Sequence, residues 1–283
     1  MNKILFPTDF SENAHHAFRF AKMMARAKKA KLILIYAYNL PLAAPVNAFT
    51  SREQTLNLIE QDLRDVAQKH MKVYTDELDL MEDPYDLIIK EGMAVEKIAK
   101  FCRKETIDLI VMGTKGQTDH RGFLMGSVTA KLIEKVSIPL LAIPDSVEIR
   151  PFRKIVFASD LLFNSSEEIQ KAMNFAKLNK SSLTFLHIKT DSEKEENDLS
   201  ELKHNIKRNR DQNIQVVEIL ADTVVHGIDT YLQENKTDLL MLCNHTKSFF
   251  EKLFHKSISK QMVLHSKVPL LIFSKEIHPI VFF

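Results

Sequence analysis

The chain has 283 residues, 45% of them apolar, and its 39 lysines and arginines against 37 acidic residues leave a net charge of +2. This length is typical of two domains and allows a large buried core. The nearly balanced charge argues against a nucleic-acid-binding surface. The sequence contains no apolar run of about 18 residues, so we expect no membrane span.

The start of the chain and its cysteines predict a cytoplasmic location. Pro7, Asp9 and Glu12 stand where a secretory signal peptide would need an apolar stretch. The two cysteines, Cys102 and Cys243, are too few for a disulfide framework. A reducing compartment is therefore the simplest expectation.

Two apolar spacings alternate along the first half of the chain. Nearly continuous apolar runs predict buried parallel strands, and apolar residues three or four apart predict helices. The predicted strands cover residues 3–7, 31–38, 86–90, 109–112 and 138–144. The predicted helices cover about residues 12–29, 52–71 and 94–104, with a fourth after Ser127. This alternation indicates an α/β fold with a parallel sheet.

A glycine-rich segment lies between the fourth predicted strand and the helix that follows it. Four of the six glycines in the chain fall within residues 113–126. Glycine lets the backbone approach a ligand, and the free N–H groups of a helix start favour an anion. This order of elements predicts a phosphate site, with a flexible surface loop capped by Ser127 as the alternative.

The spacing of these glycines can be compared with the patterns of known phosphate-binding loops. Neither the P-loop pattern GxxxxGK[ST] nor the dinucleotide pattern GxGxxG is present. The spacing is G-x2-G-x9-G-S, from Gly113 through Gly116 and Gly126 to Ser127. It resembles the signature of the ATP-binding branch of the universal stress protein family, G-x2-G-x9-G-[ST].

The second half of the chain repeats the first. RKIVFASD at 153–160 matches NKILFPTD at 2–9, an offset of 151. TDLLML at 237–242 matches IDLIVM at 107–112, an offset of 130. Two constant offsets indicate two copies of one unit. The difference between 151 and 130 makes the second copy 21 residues shorter, in the part that corresponds to residues 39–72.

The resemblance covers both copies and predicts two domains, residues 1–147 and 148–283. It implies for each domain a doubly wound, five-stranded parallel sheet with strand order 3-2-1-4-5 and helices on both faces. Ligands of such sheets bind at the crevice where the strand order reverses, here between strands 1 and 4. Family members commonly dimerise through the last strand. We therefore expect Pro139–Ile143 to pair with Pro269–Phe273 across a pseudo-two-fold axis, which would cover two open sheet edges.

The resemblance also implies ATP, alone or with Mg²⁺, as the ligand of the first domain. The residues it implies at the adenosine are Pro7, Thr8, Asp9 and Ala37. Those it implies under the sugar and phosphates are Met112 and Gly113, and those it implies at the phosphate oxygens are Gly116, Gly126, Ser127, Val128 and Thr129. No catalytic residue and no metal ligand set are predicted.

Some of these residues have a second interpretation. Asp9 follows a strand and could serve only as a helix cap. The loop charges Lys115, His120 and Arg121 could neutralise phosphates or simply be solvated.

The second copy loses most of the motif. At an offset of 130, Cys243, Thr246 and Lys256 replace the three glycines, and only the serine is kept, as Ser257. Side chains now stand where bare backbone is needed, so we expect one nucleotide site per chain.

Three functions stay open from the sequence. The first is a nucleotide-dependent sensor or switch in the stress response, with the second domain as a built-in dimer partner. The second is a slow ATPase or phosphotransferase, and the third is a nucleotide-independent interaction protein. The sequence offers no general base in fixed relation to the loop and no carboxylate pair beyond Asp9, which favours binding over turnover. A homodimer and an unidentified protein partner are compatible with all three.

The last four residues, 280–283, are all apolar. Exposed to water they would form an apolar, aggregation-prone patch, so we expect them to pack on their own chain or on a second one. A disordered tail is the alternative.

Overall fold

Strands and helices alternate throughout the described parts of the chain. The computed structural model describes residues 1–39, 52–77, 84–114, 126–158, 166–190, 213–244 and 268–274. The first half contains β1 (Lys3–Thr8), α1 (Glu12–Lys28), β2 (Lys31–Tyr38), α2 (Arg52–Thr75), β3 (Tyr85–Glu91), α3 (Ala94–Lys104), β4 (Leu109–Gly113), α4 (Ser127–Lys135) and β5 (Leu140–Ile143). The second half contains β6 (Lys154–Ala158), α5 (Ser166–Asn179), β7 (Ser182–Lys189), β8 (Ile214–Leu220), α6 (Val224–Glu234), β9 (Leu239–Asn244) and β10 (Leu270–Ser274).

Two elements extend beyond their predicted ends. β1 continues through Pro7 to Thr8, which pairs with Tyr36 of β2. α2 continues to Thr75 instead of stopping near residue 71. The extra turn exists because Tyr74 is buried, with its ring against the rings of Phe6 and Phe18.

The described strands form one sheet of ten, in the order β3-β2-β1-β4-β5-β10-β9-β6-β7-β8. Pairing within each half is parallel. β5 and β10 pair antiparallel, with Leu141 opposite Leu271. The predicted α/β class with a mostly parallel sheet is confirmed, and so is the predicted pairing of the two last strands. That pairing corrects one expectation, because it fuses the two predicted sheets into one.

Helices cover both faces of this sheet, so each face has its own core. Successive strand residues point to opposite faces. Accordingly, Ile4 and Phe6 belong to the core under α1, α2 and α5, whereas Leu5 belongs to the core under α3, α4 and α6. None of the described helices combines the length and apolar character needed to cross a bilayer.

The two halves also contact each other beside the β5–β10 pair. The ring of Phe20 in α1 stacks on Phe152 in the connecting segment, with centroids 6.1 Å apart. Lys28 at the end of α1 donates a hydrogen bond of 2.9 Å to the carbonyl of Leu178 near the end of α5. Burial lowers the pKa of this lysine. The halves are therefore joined both through the sheet and through one helical layer.

Candidate functional site

The strand order reverses between β1 and β4. From β1 the chain proceeds outward to β2 and β3, then returns to β4 on the other side. The carboxyl ends of β1 and β4 are Thr8 and Gly113. Crevices at such reversals are the usual ligand sites of open α/β sheets.

The turn after β1 is fixed by side-chain hydrogen bonds. The Thr8 hydroxyl accepts from the Phe10 N–H at 3.0 Å and lies 2.8 Å from the Tyr74 hydroxyl. The Asp9 carboxylate accepts from the Ser11 N–H at 3.1 Å. Ser11 caps α1 by accepting from the Ala14 N–H at 3.1 Å. Ser11, not Asp9, is therefore the helix cap, and Asp9 closes a local turn.

Three aromatic rings pack together next to this turn. Phe10 has a φ of 62°, which is rare for a bulky residue. Its ring centroid is 4.5 Å from that of Tyr36 and 4.9 Å from that of His70. Burial first, and then the negative charge of Asp9, raise the pKa of the Tyr36 hydroxyl. Packing against both rings offsets the cost of this unusual backbone conformation of Phe10.

Three of the predicted residues lie on the face of the sheet that α4 covers. Met112 belongs to the core under α4, and Pro7 and Ala37 share this face because they lie two residues after Leu5 and Ile35. Thr8 points to the opposite face, where Tyr74 contacts it. The structure thus groups Pro7, Ala37 and Met112, and it separates the Thr8 side chain from them.

The N-terminus of α4 opens at the same edge. Gly126 is its N-cap, with φ −62° and ψ 154° and no side-chain cap. The first N–H to bond back within the helix is that of Ala130, which donates to Gly126 at 3.1 Å. The amides of Ser127, Val128 and Thr129 precede it, so the helix itself provides no acceptor for them. Such a group of amides at a positive dipole end suits an anion.

Two expected phosphate contacts have other partners. The Gly126 N–H donates to the Thr114 carbonyl instead of pointing at a ligand. The Thr129 hydroxyl is buried and donates to the Gly113 carbonyl at 3.1 Å. Both bonds tie the start of α4 to the end of β4. They therefore position the amides of α4 at the crevice.

Gly113 is glycine for a reason that the sequence did not indicate. A Cβ at this position would lie 2.1 Å from Oδ1 and 2.9 Å from Cγ of Asn13, and 3.1 Å from its backbone carbonyl. The first turn of α1 therefore occupies the space of a side chain here. The close approach of phosphate predicted for Gly113 stays a prediction.

A model of the universal stress protein family matches residues 1–144 and 151–274. The chain belongs to this family. Universal stress protein MJ0577 of Methanocaldococcus jannaschii is 30% identical over 151 residues, which are 50% of this chain and 93% of that protein. Universal stress protein MJ0531 of the same organism is 30% identical over 149 residues, covering 50% of this chain and 81% of the relative. A crystal structure of a universal stress protein from Archaeoglobus fulgidus is 18% identical, with a TM-score of 0.69 over 97% of this chain and 99% of that one.

Several predicted residues of this universal stress protein lie outside the described residues. They are Gly116, Lys115, His120 and Arg121 in the first half, and Thr246, Lys256 and Ser257 in the second. The same holds for residues 280–283. Their predicted roles stay predictions. Within the described ranges, no three His, Cys, Asp or Glu side chains lie together as a metal site would need.

Sequence reasoning missed three residues of the universal stress protein crevice, namely Phe10, His70 and Tyr74. His70 and Tyr74 come from α2 and contact residues 60 and 66 positions earlier in the chain, Phe10 and Thr8. No local pattern links such distant positions. Phe10 lies next to Asp9, but the sequence does not predict its positive φ, because glycine is the residue that normally adopts that conformation.

Proposed function

We propose that the first half of this universal stress protein binds ATP at the β1–β4 crevice. One observation carries the proposal: three amides without intrahelical acceptors, at Ser127, Val128 and Thr129, begin α4 at the point where the strand order reverses. Polyphosphate is the ligand that such an N-terminus favours, and the G-x2-G-x9-G-S spacing agrees with the ATP-binding branch of the family. Pro7, Ala37 and Met112 then provide an apolar surface for the nucleoside.

The proposal treats the chain as two domains, residues 1–147 and 148–283, with one site in the first. The second domain serves as the built-in partner of the first across the β5–β10 pair. We propose a cytoplasmic switch of the stress response that binds ATP, with or without Mg²⁺, and passes its state to a protein partner. A homodimer of the whole chain is compatible with this role.

The key test removes one amide of α4 without unfolding the helix. Ser127 is the first residue of α4, a position that tolerates proline, and the φ and ψ of Gly126 suit a residue before proline. Ser127→Pro should therefore keep α4 and lose one N–H together with the hydroxyl. Ser127→Ala loses the hydroxyl alone. Titration calorimetry with ATP should show a larger loss of affinity for the proline variant.

A matched control separates this effect from a general effect of proline. Ala94 is the first residue of α3, and its N-cap residue Met93 has a φ of −58° and a ψ of 125°, which a residue before proline can adopt. Ala94→Pro should leave ATP affinity unchanged. Equal affinities of Ser127→Pro and the wild type would remove α4 from the site. Absence of ATP binding by the wild type, in titration and in mass spectrometry of the purified protein, would favour a nucleotide-independent interaction protein.

The stoichiometry should be one ATP per chain. The glycines at positions 113, 116 and 126 have Cys243, Thr246 and Lys256 as their counterparts. Calorimetry that finds two equivalent sites per chain would contradict this expectation. Phosphate release during the same incubation would indicate the slow ATPase instead of a switch.

A further inference from the structure

Pro7 occupies an unusual place for a proline. It is the fifth of six residues in β1, and β1 has a hydrogen-bonded strand on each side, β2 and β4. Proline has no N–H and is normally confined to edge strands, strand starts and bulges. A proline that interrupts an interior ladder therefore needs an explanation, and such exceptions tend to occur at functional sites.

The missing N–H is one that would face β4. The carbonyl of Asn2 accepts from Lys31 beside β2, and the carbonyl of Lys3 accepts from Asp108 beside β4. Backbone groups of successive strand residues alternate between the two neighbouring strands. Leu5 and Pro7, two and four residues after Lys3, therefore face β4.

The ladder between β1 and β4 ends at this point. Its aligned pairs are Ile4–Leu109 and Leu5–Ile110. Leu109 faces β1 between residues 3 and 5, so Val111 faces β1 between residues 5 and 7. The carbonyl of Val111 thus lies where a donor at residue 7 would bind it, and proline has no hydrogen to give.

The second half provides the same strand pair without the proline. There β6 and β9 align over four pairs, from Ile155–Leu239 to Ala158–Leu242. At the offsets of the repeat, Ala158 stands in the place of Pro7. The two extra pairs are those that need an N–H at this position. The half with proline keeps the glycine motif, and the half with alanine has lost it.

We propose that Pro7 is a positioning residue that removes the hydrogen bond from residue 7 to the Val111 carbonyl, so that the carboxyl ends of β1 and β4 can separate to admit a nucleotide. This inference rests on the proposed ATP site. Each strand end stays attached on its outer side, β1 through the Thr8–Tyr36 pair and β4 through the Gly113–Ile143 pair. Movement at the crevice therefore breaks no bond donated by residue 7 to β4.

The test restores the missing donor. Pro7→Ala should form the bond that Ala158 can form in the second half, with a nitrogen–oxygen distance of about 2.9 Å to the Val111 carbonyl in a crystal structure. ATP affinity should fall by about three- to tenfold, because the ligand must now break one hydrogen bond. Thermal stability should stay equal or rise. A merely structural role of the proline would instead make affinity and stability fall together.

Two controls isolate the N–H. An ester-linked lactic acid at position 7 has the side chain of alanine but no N–H, so it should bind ATP more tightly than Pro7→Ala, since both lack the proline ring and only alanine has the N–H. Ala158→Pro should shorten the β6–β9 ladder and leave ATP affinity unchanged. Unchanged affinity of Pro7→Ala, or equal weakening by the ester, would overturn the inference while leaving the ATP site in place. A wild type that binds no ATP would overturn both.

Discussion

The two halves of the chain share their structural anchors and differ at the crevice. Asp108 accepts backbone hydrogen bonds from Asn2 and Lys3. Asp238, at an offset of 130, accepts them from Arg153 and Lys154. In both halves a carboxylate before the fourth strand thus holds the start of the first one. The comparison shows that the sheet is held from its amino edge, so changes at the opposite edge leave these anchors intact.

The C-terminal ends of α1 and α5, which correspond in the two halves, have the same backbone conformation. Lys29 after α1 and Lys180 after α5 have φ values of 51° and 52°. The N–H of each donates back to its helix, to Arg26 and Lys177 respectively. Such left-handed ends are usually glycine, yet lysine stands at both. The repeat therefore extends to backbone details that a glycine pattern would not reveal.

The most informative difference at the anchors is an ion pair found in the second half. Arg150, in the segment that connects the halves, donates to Asp238 at 2.7 Å, and the side chain of this aspartate is 6% exposed. The residues around them, Ser146, Val147, Phe152 and Pro269, line a cavity of about 120 Å³. Asp238 therefore holds both the start of β6 and the connecting segment.

Removal of the two anchors should give the largest difference between the halves. Asp238→Ala removes the acceptor of two backbone N–H groups and one partner of the partly exposed Arg150, and we expect a loss of about 2–4 kcal/mol in the free energy of unfolding. Asp108→Ala removes two backbone bonds at a more exposed site, and we expect about 1–3 kcal/mol. Urea unfolding measures both. Equal losses would show that the connecting segment adds nothing to the anchor.

A smaller effect should follow from a side chain at the end of β4. Gly113→Ala places a Cβ against Asn13, and we expect a destabilisation of about 1–3 kcal/mol from overpacking. Asn13→Ala in the same chain should recover part of this loss, because it removes the Oδ1 and Cγ atoms that a Cβ would meet. A double-mutant cycle by thermal unfolding checks the coupling. Strict additivity of the two changes would place the conflict elsewhere.

The contacts of Gly113 and Gly126 separate the local signals of the glycine motif from its tertiary contacts. The sequence correctly located Gly113 at a strand end beside the crevice, because apolar runs and glycine spacing are local signals. It assigned the glycine to phosphate, since the contact with Asn13 joins positions 100 residues apart. The bond from the Gly126 N–H to the Thr114 carbonyl joins the two ends of the glycine-rich segment, and the spacing of the glycines does not indicate it. Valine at position 113 would therefore test packing before it tested binding.

More of the fold than of the candidate site could be predicted from the sequence. Alternating apolar spacing and two constant offsets are properties of the whole chain, and they predicted an α/β fold in two copies. The contact between the last strands was predicted from the resemblance to the universal stress protein family. The continuation of β1 past Pro7 was not predicted, because proline normally ends a strand and the pair between Thr8 and Tyr36 is not visible in the sequence. Site chemistry depended on such individual contacts.

The smallest expected effect concerns Tyr74, at the end of α2 in the first half. Its hydroxyl lies 2.8 Å from that of Thr8, and burial raises the pKa of Tyr74 to about 12. Tyr74→Phe should lower the free energy of unfolding at pH 8 by about 0.5–1.5 kcal/mol, the contribution of one hydrogen bond.

The pH dependence of this effect has a definite sign. Because the pKa of Tyr74 rises from 10.0 to about 12 on folding, the unfolded chain loses this proton first as the pH increases. The contribution of Tyr74 is therefore complete below pH 10 and declines between about pH 10 and pH 12. Wild type and Tyr74→Phe should converge in stability over that interval, as measured by urea unfolding at fixed pH. A constant difference from pH 8 to pH 12 would show that the phenol of Tyr74 titrates alike in both states, against the effect expected from its burial.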